Sequence, residues 1–127
     1  MSDHLVRYLV DGMNVIGTRP DGWWKDRDAA MLRLVDRLER WSARTGAEVT
    51  VVFERKPNPP LSSTVIEVAH APKAGPNSAD NEIIRLVRAD DDPGSIRVIT
   101  SDNVLSNIVN GLGAMSEPAA PFRDRID

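Results

Sequence analysis

The chain has 127 residues, 41% of them hydrophobic and 28% charged, with a formal net charge of −3 and no cysteine. That balance predicts one ordinary globular domain over residues 1–127. It excludes a disulfide framework, a thiolate zinc site and a cysteine nucleophile, and it argues against a domain that grips nucleic acid through phosphates alone.

The elements follow in chain order. The N-terminal MSDHLVRYLVDG lacks the basic start and long apolar stretch of a signal peptide, and no apolar run approaches a membrane span. A cytoplasmic protein is therefore expected. Residues 5–10, LVRYLV, read as a first strand buried on both faces. Met31, Leu34, Val35, Leu38 and Trp41 recur at three- and four-residue steps and predict an amphipathic helix over 27–43, stopped near Gly46. Residues 48–53, EVTVVF, predict a second strand. RKPNPP at 55–60 excludes regular structure through its three prolines.

A third strand is predicted over 64–69, with a loop over 72–77. A second helix is predicted over 78–90, with Ile83, Ile84 and Val87 facing inward. IRVIT at 96–100 predicts a fourth strand. A third helix starts at Asp102 or a neighbour, reaches about Asn110 and ends at Gly111 and Gly113. Residues 114–116 read as a short fifth strand, and EPAAPFRDRID as a frayed end or a short helix. Strands alternating with long helices predict a three-layer α/β/α sandwich with a mostly parallel central sheet. Between the second and third strands no helix is expected.

In open α/β sheets, sites form beyond the carboxyl ends of the strands. Acids recur there: Asp11 after the first strand, Glu54 after the second, Asp102 after the fourth, and Asp80 in the first turn of the second helix. Asp80 precedes Ile83 and Ile84 by three and four residues, so it lies on the sheet-facing side. Each acid also has a purely structural explanation. Asp-Gly is a common turn, Asp80 suits a positive helix end, Asp102 is a good N-cap, and Glu54 suits a solvated strand end. Together, three converging aspartates would repel one another unless protons or a cation compensate. Oxygen-only ligands suit magnesium or manganese, and such a centre suits phosphate-ester hydrolysis.

Competing motifs fail. GMNVIGT at 12–18 has the glycine spacing of a phosphate-binding loop, but Thr18 stands where the lysine belongs. Gly111-Leu112-Gly113 begins like a dinucleotide fingerprint, but Ser116 replaces the third glycine and no first strand precedes it. Met13 stands where a D-x-D phosphatase needs its second acid. His4 and His70 lie on separate segments, against a histidine metal site.

LVDGMNVIG, EVTVVF, SADNEIIRLV and VITSDN occur in an order that resembles the NYN domain of the PIN-like nuclease superfamily, most closely its YacP-like branch. The resemblance spans about residues 8–116. It implies a PIN-like fold and a metal-dependent ribonuclease using Mg²⁺ or Mn²⁺. It assigns Asp11, Asp80 and Asp102 as metal-binding acids and Asn14 as the asparagine that supports the first acid. Thr100 and Ser101 match the polar pair shaping the turn before the third acid. Two positions depart from the pattern: Glu54 stands where many relatives have aspartate, and Asn103 where PIN relatives often have a further acid. A single metal ion is then an alternative to two.

RNA is the partner the resemblance implies. Trp23 and Trp24, with Arg19, Lys25 and Arg27, are candidates to stack bases and touch phosphates, and Arg55, Lys56 and Lys73 to form a basic rim. The plainer reading packs at least one tryptophan against the first long helix and leaves the cations as solvated loop charge. The leading expectation is an endoribonuclease. The alternatives are a catalytically weak RNA-binding or ribosome-associated adapter, and a small-molecule phosphohydrolase.

Overall fold

The computed structural model describes residues 6–127; His4 and Leu5, both invoked above, lie outside the described residues. Among the described residues, five strands carry the core: β1 Arg7–Asp11, β2 Glu48–Phe53, β3 Glu67–His70, β4 Ile96–Ile99 and β5 Met115–Glu117. Five helices accompany them: α1 Gly12–Ile16, α2 Arg27–Thr45, α3 Ser78–Ala89, α4 Asn103–Gly111 and α5 Ala119–Ile126. All four strand pairings are parallel, in the order β3-β2-β1-β4-β5. The chain winds from β1 to β3 in one direction and then resumes on the other side of β1. The strand order therefore reverses between β1 and β4.

Side-chain alternation divides the core in two. Val10, Val51, Phe53 and Ile99 pack with α1, α2 and α5 through Val15, Met31, Leu38 and Phe122. Leu9, Val52 and Val98 pack with α3 and α4 through Ile83, Val87, Leu105 and Val109. The result is the expected α/β/α sandwich with a PIN-like, fully parallel sheet.

Boundaries differ from expectation where side chains compete for the backbone. The predicted third strand starts three residues late, at Glu67, because Ser63 Oγ accepts the amides of Val65 and Ile66 and holds them in a turn. α2 runs two residues longer than expected. It is capped by Asp26 at one end and ended by Gly46 in the left-handed region (φ 75°) at the other. The Asp11-Gly12 turn opens directly into the short helix α1. A further helical turn covers Trp23–Lys25.

Of the two readings of the last segment, the helix holds and the frayed end does not. Ala119, Phe122 and Ile126 are buried at three- and four-residue steps. Phe122 joins Tyr8 and Trp41, with ring centroids 5.3–6.0 Å away, and Arg125 lies over all three rings. Among the described residues, no helix is long and apolar enough to cross a membrane.

Candidate active site at the carboxyl ends of the strands

Period-two alternation decides where Asp11 points. Leu9 faces α3 and α4, so Asp11 faces that side too, and α3 and α4 begin with the segments carrying Asp80 and Asp102. The three aspartates come to one end of the sheet, on one face, beside the strand-order reversal. Their fields overlap: Asp80 and Asp102 both raise the proton affinity of Asp11, and Asp102 raises that of Asp80.

Asp11 is 5% exposed. Its pKa is pushed up to about 6, first by burial and then by the two neighbouring carboxylates. The Thr100 hydroxyl and the Asn14 backbone N–H act in the opposite direction. Asp80, half-buried, is also raised, by burial and then by Asp102. Asp102 is the N-cap of α4: its Oδ1 accepts the amides of Val104 (2.9 Å) and Leu105 (3.1 Å). The structural reading of Asp102 is therefore true, and it leaves the second carboxylate oxygen without a hydrogen bond among the described residues.

Thr100 is the hinge of the site. Its hydroxyl donates to Asp11 Oδ2 (2.9 Å) and accepts the amide of Asp102 (3.1 Å), so one buried side chain spaces two of the acids. The Asn14 side chain makes no hydrogen bond to Asp11 among the described residues. Its Oδ1 instead accepts the Ser101 amide (2.8 Å), tying α1 to the β4–α4 turn. Ser101 Oγ in turn accepts the Ala119 amide (2.9 Å), joining that turn to the start of α5. Gly12 admits no side chain: a Cβ there would lie 2.5 Å from the Phe53 ring. One contact has no local signal from which it could be anticipated. Ser78 Oγ donates to the Glu54 carbonyl (2.9 Å), which pins α3, and with it Asp80, to the end of β2.

Glu54 is half-buried and faces Arg27 at 3.5 Å; Asn103 is the exposed first residue of α4. Among the described residues, no group of three or more histidine, aspartate or glutamate side chains is arranged so that it could hold a metal ion, Asp11, Asp80 and Asp102 included. The three aspartates share one end of the sheet and act on one another electrostatically, but they are not a ready-made ligand set.

The other expected contacts separate by partner. Trp23 is partly buried against the α1–α2 core, while Trp24 is 51% exposed. Arg19 is committed to Asp124 (2.7 Å) and Asp127, and Arg55 to Asp28 (2.8 Å). Lys25, Lys56 and Lys73 are exposed and have no ion pair with another described residue. His70, on β3, contacts the carbonyl of its neighbour Ala71.

Comparison with known proteins agrees with this architecture. The crystal structure of Rae1 (YacP) from Bacillus subtilis superposes with a TM-score of 0.77 at 25% identity. A tryptophan-to-leucine variant of that protein superposes with 0.74 at 27% identity. Each covers 94% of this chain and 72% of the Bacillus chain. No match is found among curated proteins. Residues 8–127 match the YacP-like NYN domain. With its parallel sheet and acids at the strand-order reversal, this chain belongs to the YacP-like NYN domain family, a group with a nuclease-type fold.

Proposed function

We propose that the protein is a divalent-metal-dependent endoribonuclease that hydrolyses RNA phosphodiester bonds at the sheet end that carries Asp11, Asp80 and Asp102. The observation that carries this reading is the placement of three carboxylates at one end of the sheet, with Asp11 buried and within the fields of Asp80 and Asp102. A fold that only needed turns and caps has no reason to bury one acid within the field of two others.

The oxygen-only chemistry of the donors suits Mg²⁺ or Mn²⁺, which retain several waters and need only a few carboxylates; the three side chains would have to draw together to share the ion. Asp11, Asp80 and Asp102 would hold the ion. When bound, such an ion offsets charge on the phosphoryl oxygens and brings the pKa of its water towards neutrality. The chain's own residues supply position. Thr100 fixes the Asp11 carboxylate, α4 amides fix Asp102, and Ser78 fixes the helix bearing Asp80. The rigid end of β1 removes conformational freedom that would otherwise have to be lost on substrate binding.

The test is incubation of the protein with labelled RNA and manganese, with and without chelator. Internal cuts that vanish with chelator, and with Asp11→Asn or Asp102→Asn, support the proposal. Cleavage by either variant at the parental rate overturns it. Two observations favour a second reading, an RNA-binding or ribosome-associated adapter: no group of acids able to hold a metal ion is formed among the described residues, and Asn103 stands beside Asp102. RNA binding without cuts under any divalent ion would select it.

A further inference from the structure

The chain has only three lysines, and each lies in a different connection that follows the carboxyl end of a strand. Lys25 follows β1 and α1, Lys56 follows β2, and Lys73 follows β3. All three are exposed and without an ion pair among the described residues, whereas the neighbouring Arg19, Arg27 and Arg55 each face a carboxylate. The opposite half of the same sheet end differs. α4, which follows β4, carries no charged residue from Asn103 to Gly111 and exposes Val104 and Ile108. Among the described residues, the lysines without an ion pair at this end of the sheet therefore follow β1, β2 and β3, although the chain as a whole is acidic.

An aromatic surface stands on the same half. Trp24 is exposed, and its indole is braced edge-on by Trp23, with ring centroids 5.9 Å apart at 86°. Trp23 is itself held by the core and by Arg27, whose guanidinium lies 5.4 Å from the ring centroid. Arg27 reaches Glu54, and the Glu54 carbonyl receives the Ser78 hydroxyl at the start of the helix carrying Asp80. A continuous set of contacts thus links the exposed indole to one of the site's acids. The edge contact with Trp23 restricts the exposed indole before any ligand arrives, which favours stacking.

We infer that the β1–β3 half of the rim is a track for single-stranded RNA, in which one unpaired base stacks on Trp24 and the lysines follow the phosphates towards the acids. A base inside a duplex has both faces covered by its neighbours, so the track selects unpaired strands. The inference rests on the ribonuclease reading for its destination, and on the exposed indole and the three lysines for its path.

The test measures binding with chelator present, so that RNA stays intact. The probes are an end-labelled oligouridine and a duplex of equal length. Trp24→Ala is expected to weaken oligouridine binding roughly tenfold, and Trp24→Phe to restore most of it. Replacing Lys25, Lys56 and Lys73 together by glutamine is expected to lower the slope of log affinity against log salt by about 2, at ~0.7 for each phosphate that a lysine had neutralised. Equal affinity for the duplex, parental affinity of Trp24→Ala, or an unchanged salt slope would each overturn the track. Failures separate cleanly. RNA cleavage unaffected by these variants removes the track and keeps the ribonuclease. Trp24-dependent binding with no cleavage under manganese keeps the track and removes the ribonuclease.

Discussion

Replacing Asp11 by asparagine is expected to stabilise the metal-free protein at neutral pH while removing its activity. Asp11 is 5% exposed, and its pKa stands at about 6 against an ordinary 3.8. Because the folded value is raised, the fold prefers the protonated acid. Stability from this group is fully present below 3.8 and is lost as pH rises through about 6. Above that point the protein carries a buried charge whose cost corresponds to roughly 3 kcal/mol, at about 1.4 kcal/mol per pH unit. Asparagine keeps the shape, still accepts from Thr100 and has no charge to bury.

Urea unfolding in chelator should therefore show the variant more stable than the parent by roughly 2–3 kcal/mol at pH 8, with the gap closing near pH 4. In thermal melts the pH 8 gap corresponds to roughly 10 °C. Manganese should narrow the gap by stabilising the parent alone. A variant no more stable than the parent at pH 8, or a gap independent of pH, would refute the claim that Asp11 is a buried charge under strain from its neighbours.

Three further outcomes follow from the same geometry. Thr100→Val removes the donor to Asp11 Oδ2 and the acceptor for the Asp102 amide; it should cost about 1–3 kcal/mol at pH 8. It should also raise the Asp11 pKa further, read by carboxyl NMR titration, because the missing bond favoured the ionised form. Gly12→Ala should cost about 1–3 kcal/mol in urea unfolding, because its Cβ would meet the fully buried Phe53 ring. Phe122→Ala should cost about 3–5 kcal/mol by the same measurement, since its ring fills the space between Tyr8, Trp41 and α5; a loss below about 1 kcal/mol would mean that α5 is not part of the core.

The sequence alone was enough for the elements whose signal is periodic and local. The apolar stripe from Met31 to Trp41 and the β-rich runs at Val49–Phe53 and Ile96–Ile99 specify their structure within a few turns of chain, and the alternation of such elements implies a parallel sheet. It also put Asp11, Asp80 and Asp102 at strand or helix ends. Other features depended on partners distant in sequence. Nothing local distinguishes α5 from a loose end; it is helical because Phe122 finds Tyr8 and Trp41. Nor does local sequence reveal that Asn14 holds Ser101, that Thr100 bridges two acids, or that Arg19 and Arg55 face carboxylates while the three lysines do not. Periodicity records which face of an element is apolar, and that is fixed by neighbours in the chain. Hydrogen bonds, ion pairs and raised pKa values depend on distances between residues far apart in sequence, and only the folded sheet sets those distances.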